Sequence, residues 1–263
     1  MTDLQRDNWN IWGYAPPLGF LLLLALLAIT RSNQSLFFEV NRLSASTGAS
    51  IWAHLTILGD GLLSALLIFP FIRKKPELIW SFVITTIVYF FILHFFKEIL
   101  DVARPPAVLD ADEFFLIGPR HKHHAFPSGH ATTAMAIAAT LILHLRNHKY
   151  QAAILALGCI IALSRVVVGV HWPADVLAGG LLGWSAAILG YRIARRSRWG
   201  YSKTAQYIYI AAFLIAGAMA IWSHETKYEQ TQLFQYFLSI GCLVFGIIES
   251  IRLRFRENRG DCK

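Results

Sequence analysis

The segment Ser164–Asp175, SRVVVGVHWPAD, sets an arginine, a histidine and a carboxylate around one proline. Pro173 suits the first turn of a helix, where its missing N–H has no intrahelical partner to lose. A helix starting at Trp172 brings His171 and Asp175, four residues apart, onto one face. A carboxylate accepting from one imidazole nitrogen fixes the tautomer and leaves the other nitrogen as a lone pair, which makes a histidine a nucleophile. Arg165 adds a planar fork of donors suited to phosphate oxygens. Taken alone, the stretch also reads as a helix-capping loop with an isolated histidine, so the other polar clusters must decide.

Two such clusters precede it: Lys97 with Arg104-Pro105, and Pro127-Ser128-Gly129-His130 at the head of an apolar run. Brought to one point, Lys97, Arg104 and Arg165 are three cations that call for an anion, and phosphate offers oxygens in three directions. Ser128 and Gly129 lie where a helix would begin, with free N–H groups and the positive dipole end facing an anion. A serine there is equally an ordinary N-cap. His130, beside the same point, is placed to protonate a leaving oxygen as a general acid.

The elements that must position these groups are membrane helices. The 263 residues are 56% hydrophobic and 15% charged, with mean hydropathy +0.48, which describes a polytopic, all-α membrane bundle. The net charge of +8 falls in short clusters between apolar runs, not in a basic domain, so nucleic acid is not an expected partner. Cys159, Cys242 and Cys262 suggest no pairing. The apolar runs predict eight spans: Ile11–Thr30, Ile51–Ile72, Leu78–Phe96, Ala131–Leu145, Ala152–Val170, Ala174–Tyr191, Ile208–Trp222 and Leu233–Ile251. The first run follows a leader with Asp3 and Asp7 against Arg6, and is read as a retained helix, not a cleaved signal. Asn33–Ser50 carries Leu36, Phe37, Val40 and Leu43 at helical spacing, as an interfacial amphipathic helix would. Asp60 interrupts the second span, either as a functional or bundle-internal polar group or as a residue at headgroup depth before a late helix start. The small residues Ala178, Gly179, Gly180 and Gly183 suit close helix packing in the sixth span.

Eight spans put both termini on one side. That side holds sixteen of the basic residues: Arg6, those in 73–75, 146–149 and 192–203, and the tail. The other side holds eight, several of them in the polar clusters themselves. Cytoplasmic termini and an outward-facing cluster of polar loops follow from this bias.

Lys97-x6-Arg104-Pro105, PSGH at 127–130 and Ser164-Arg165-x5-His171-x3-Asp175 together resemble the three-part signature of the type 2 phosphatidic acid phosphatase superfamily. Eleven specified residues match in order. The resemblance implies a single integral-membrane domain over 1–263, with a six-helix core at about 55–192 and a helical extension at about 204–251 that has no assigned counterpart. It implies that His171 attacks phosphorus, Asp175 orients it, and His130 protonates the leaving group and then activates water. Lys97, Arg104, Ser128, Gly129 and Arg165 would hold the phosphoryl oxygens. No metal or cofactor is implied, and His121, His123 and His124 read as flanking residues for a polyanionic headgroup. The expected partner is a lipid phosphate in a bacterial inner membrane, met from the periplasm, with no obligate protein partner. Undecaprenyl diphosphate comes first, ahead of phosphatidylglycerol phosphate, phosphatidic acid and lipid A 1-phosphate. A phosphotransferase is the main alternative; a vanadate haloperoxidase and a non-catalytic phosphate binder are weaker ones.

Overall fold

The computed structural model describes residues 11–72, 74–224 and 226–258, with side chains to Arg252. Asp3, Arg6, Asp7, Arg73, Arg259, Cys262 and the side chains of Arg254 and Arg256, all used in the sequence reading, lie outside the described residues. Among the described residues there are helices and no strands. In chain order they are α1 (Ile11–Thr30), α2 (Asn33–Asn41), α3 (Leu43–Thr47), α4 (Ala49–Ile57), α5 (Gly61–Ile68) and α6 (Pro76–Leu100). Then follow α7 (Pro105–Val108), α8 (Gly129–Leu143), α9 (His148–Val167), α10 (Pro173–Arg196), α11 (Lys203–Trp222) and α12 (Gln232–Asn258).

Among the described residues six helices are long and apolar enough to cross a membrane, so the chain is an integral membrane protein. The α4–α5 pair is bent by 65° and makes a seventh span if taken as one. The remaining expected span is α8, whose 15 residues reach about 22 Å, less than the ~30 Å of a hydrocarbon core. By length and composition the count is therefore six or seven, against the eight expected. The break before α5 has a clear local cause. Asp60 is its N-cap, with Oδ1 accepting from the N–H groups of Leu62 (3.0 Å) and Leu63 (3.2 Å). Its other oxygen faces His224 Nε2 at 3.0 Å, so Asp60 serves the bundle's interior as well as a helix start. The carboxylate raises the His224 pKa above the ordinary imidazole value.

Helix α10 is the hub. A Cβ at Gly179 would fall 2.6 Å from the Ser128 carbonyl, and one at Gly183 only 2.2 Å from the Thr132 carbonyl, so α8 and α10 approach backbone to backbone. Gly180 meets Phe20 of α1 instead, and Gly190 meets Thr85 of α6. The Asn33–Ser50 segment is helical as expected, but it does not lie free in the interface: Phe37 and Asn41 are buried. Asn41 donates to the carbonyls of Phe115 (2.8 Å) and Val167 (2.9 Å), and its oxygen accepts from Phe115 N–H (2.8 Å). This stitches α2 to the long 101–128 loop and to the end of α9.

The two ends of the bundle differ in chemistry. At one end Trp12 Nε1 donates to His148 Nδ1 (2.9 Å), Lys74 pairs with Glu249 (2.7 Å) and Trp80 packs on Trp199 (5.4 Å between centroids). The turns at 74–75, 146–149 and 197–202 therefore meet there. At the opposite ends of α6, α8, α9 and α10 stand the three polar clusters.

Candidate active site

Each site residue owes its place to a helix end. Lys97 is on the last turn of α6, which closes at Asp101 with φ +32°. Arg104 follows in extended backbone, its N–H donating to the Lys122 carbonyl (2.9 Å), while Ala125 N–H donates to Val102 (2.8 Å). These bonds fold the loop back so that Arg104 Nε reaches the His123 carbonyl (2.8 Å). Ser128 caps α8, with its hydroxyl accepting weakly from Ala131 N–H (3.5 Å). Arg165 lies on the last turn of α9, and His171 in the turn that leads into α10. That turn requires Gly169: its φ is +83°, and a Cβ would fall 2.5 Å from the Phe115 carbonyl.

The predicted pairing is present. Trp172 is the N-cap of α10, Pro173 occupies its first position, and His171 Nδ1 lies 3.3 Å from Asp175 Oδ2. The same oxygen accepts from Trp172 N–H at 2.8 Å, so the carboxylate both caps the helix and orients the imidazole. The cap is anchored twice more: Trp172 Nε1 donates to Ala103 (2.9 Å), and Ser128 N–H to the Asp175 carbonyl (2.9 Å). These two bonds tie the third cluster to the first and the second. Gly129 sits against Lys97, whose Nζ would be 3.8 Å from a Cβ there.

His171 is buried, and Arg104, Arg165, Lys97 and His130 surround it within electrostatic reach. Burial first, then the cations, hold its pKa well below the ordinary imidazole value. The imidazole is therefore neutral at pH 7; with Nδ1–H directed at Asp175, Nε2 carries the lone pair. His130 shares the same charged surroundings, with Asp60 also within electrostatic reach. Lys97, Gly129 and His130 are the partly exposed members, so an entering anion meets that side first.

All eight predicted residues thus gather at one end of the bundle. The three histidines of the loop divide. His121 is near Arg104, Lys227, Arg165 and Lys97, and burial and those charges lower its pKa, whereas His123 and His124 turn toward Asp101 (3.6 and 3.3 Å). Among the described residues no three His, Cys, Asp or Glu side chains are grouped as metal ligands. Sequence reasoning missed two residues that hold Arg165: its Nη1 donates to Thr56 Oγ1 (2.5 Å) and to Tyr228 OH (3.1 Å). At separations of 109 and 63 positions, no periodicity signals them.

Comparison with known proteins finds similarity to named phosphatases. An undecaprenyl-diphosphatase of Sulfolobus acidocaldarius is 38% identical over 79 residues, covering 30% of this chain and 38% of that protein. A lipid A 1-phosphatase of Rhizobium etli is 34% identical over 133 residues, 47% of this chain and 56% of that one. The chain thus aligns with roughly two fifths to a little over half of these relatives' length. The crystal structure of Aquifex aeolicus LpxE superposes with a TM-score of 0.55 at 28% identity, covering 61% of this chain and 94% of that one. The model of the PAP2 superfamily matches residues 77–199, and all eight site residues fall inside that segment. Residues 77–199 of this chain therefore belong to the PAP2 superfamily.

Proposed function

We propose that the protein is a metal-independent lipid phosphate phosphatase acting through a phosphohistidine. The observation that carries this reading is the His171–Asp175 pair, at 3.3 Å, among three cations. Mere phosphate binding has no use for a carboxylate behind a neutral imidazole. His171 Nε2 attacks phosphorus as the bond to the lipid oxygen breaks, and His130 gives that oxygen a proton. His130 then takes a proton from water, which attacks the phosphohistidine and frees phosphate and His171. Lys97, Arg104, Arg165, the Ser128 hydroxyl and the Gly129 N–H hold the equatorial oxygens as charge spreads over them, since the Ser128 N–H is engaged by the Asp175 carbonyl.

A lipid substrate is supported by the names of the relatives and by an apolar groove of about 430 Å³ between α1, α2, α9 and α10. Leu27, Val166, Pro173 and Val176 line it, none of the site cations does, and it adjoins the start of α10, where a tail would extend from a bound headgroup. Undecaprenyl diphosphate is our first substrate. Lys122, His121 and Lys227 lie beyond the groups needed for one phosphoryl, though His121 is neutral at pH 7 and contributes hydrogen bonding more than charge. Lipid A 1-phosphate is the second reading, favoured by the longer alignment to the Rhizobium etli protein. Phosphate release by the purified protein in detergent, from undecaprenyl diphosphate, lipid A, phosphatidylglycerol phosphate and phosphatidic acid, tests both. Turnover is expected to persist in EDTA and to stop with vanadate. Loss in EDTA that magnesium or zinc restores would refute the metal-free mechanism, and transfer of phosphate to an added lipid alcohol would make the enzyme a phosphotransferase.

The basic-residue bias supports cytoplasmic termini and a site facing the periplasm of a bacterial inner membrane. In a Cys-free background, Asp112→Cys and Arg198→Cys, both at exposed positions, are expected to react with an impermeant maleimide from opposite sides. Gly200 is unsuitable for this purpose, because its Cβ would fall 2.1 Å from the Trp80 ring. Labelling of both positions from one side would overturn the arrangement.

A further inference from the structure

We propose that Tyr228, in the turn between α11 and α12, is a positioning residue for Arg165, so that the C-terminal helical pair completes the anion site. The buried guanidinium is gripped at one corner: Nη1 is shared between Thr56 Oγ1 (2.5 Å) and Tyr228 OH (3.1 Å). Its Nε is also buried and has no protein partner. A buried, always-charged donor with an unfilled N–H is poised for an anion. The grip at Nη1 decides which way that N–H points, because an arginine stem by itself has many rotamers.

Tyr228 is itself held in place. Its ring covers Gly118, where φ is +87° and a Cβ would fall 2.4 Å from Cε1, so the main chain of the long loop lies directly against the aromatic face. The residue is 5% exposed and belongs to the apolar cluster of Ile57, Leu63, Val167 and Val168, which backs the end of α9. Its turn is fastened by Thr231 Oγ1 to the Tyr228 carbonyl (2.8 Å), by Gln235 Nε2 to the carbonyls of Ala220 (2.7 Å) and His224 (2.6 Å), and by the His224–Asp60 pair. The turn is thus anchored both to the helices it joins and to the N-cap of α5. Thr56 and Tyr228 both lie outside residues 77–199, so the segment that carries the eight site residues does not supply the grip on its own arginine.

The inference takes from the proposed function only the identity of the anion as a phosphoryl group. Its test therefore uses orthovanadate binding to the purified full chain by calorimetry, alongside kcat/KM for a lipid phosphate. Tyr228→Phe keeps the ring and removes the hydroxyl; it is expected to weaken vanadate binding and lower kcat/KM by about tenfold, the scale of one hydrogen bond to a charged group. In an Arg165→Lys background the same change is expected to cost less than about twofold, since a residue acting through Arg165 has nothing left to position. Thr56→Val should show the same dependence on Arg165, and it decides the matter if Tyr228→Phe does not fold. Wild-type vanadate affinity in Tyr228→Phe, or an equal loss in both backgrounds, would overturn the inference, the second because it marks a packing role. Wild type that binds vanadate but hydrolyses no lipid phosphate would refute the proposed function and leave the binding cycle to judge Tyr228. Wild type that does not bind vanadate at all would overturn both.

Discussion

His171→Ala is expected to lose turnover by about four orders of magnitude or more, the scale set by removing a covalent nucleophile. The protein should still fold. The α10 N-terminus keeps Trp172 N–H on Asp175 (2.8 Å), Trp172 Nε1 on Ala103 (2.9 Å) and Ser128 N–H on the Asp175 carbonyl (2.9 Å) when the imidazole is gone. What remains is a small cavity and a buried carboxylate with one donor fewer, together about 2–4 kcal/mol of stability. Quenching at neutral or alkaline pH matters, because phosphohistidine is acid-labile. Radiolabelled substrate mixed rapidly with the wild type should leave label on the protein; with His171→Ala it should leave none. Ordinary hydrolysis by His171→Ala would remove the nucleophile assignment, and with it the reason for Asp175.

The second large effect is expected at His130, and its signature is selectivity. His130→Ala removes the proton donor for the departing oxygen, a contribution of about 10²–10⁴. An alkyl leaving group such as a lipid alcohol needs that proton most. A nitrophenolate hardly needs it, so its transfer to His171 should survive. The second half-reaction also uses His130, to activate water, so nitrophenyl phosphate should give a burst of nitrophenolate followed by slow release and a build-up of labelled protein. His130 lies on the partly exposed side of the site, and the Asp60 carboxylate within electrostatic reach favours a proton on it against the pull of the nearby cations. A loss equal for all leaving groups, with no burst, would make His130 a binding residue and leave the acid unassigned.

The parts of this site visible in the sequence are those fixed by local geometry. A four-residue interval across a helix start brings two side chains together whatever else the chain does, and so His171 and Asp175 were legible. Pro173 and Ser128 announced their helix starts for the same reason. The apolar runs located the long helices to within a few residues, and Asp60 inside one of them marked a break. Its two explanations turned out to be joint, since the residue both caps α5 and meets His224. The number of spans was less legible. A run of apolar residues does not say where a helix bends, and the run that became α8 is itself shorter than a hydrocarbon core requires.

Contacts between distant segments were not legible, and they decide how the site is held. Composition alone made His121, His123 and His124 equivalent; the fold points two of them at Asp101 and leaves His121 beside the cations. Asn41 looked like one more polar residue on an interfacial helix, yet it binds the site loop and α9 together. The order and spacing of the eight site residues belong to the sequence, because helix periodicity converts spacing into proximity within each cluster. That the three clusters share one end of the bundle, and that Thr56 and Tyr228 reach in to grip Arg165, belongs to the tertiary structure. Those distances depend on how closely α8 and α10 pack across Gly179 and Gly183 and on where the α11–α12 turn docks, and no interval along the chain encodes them.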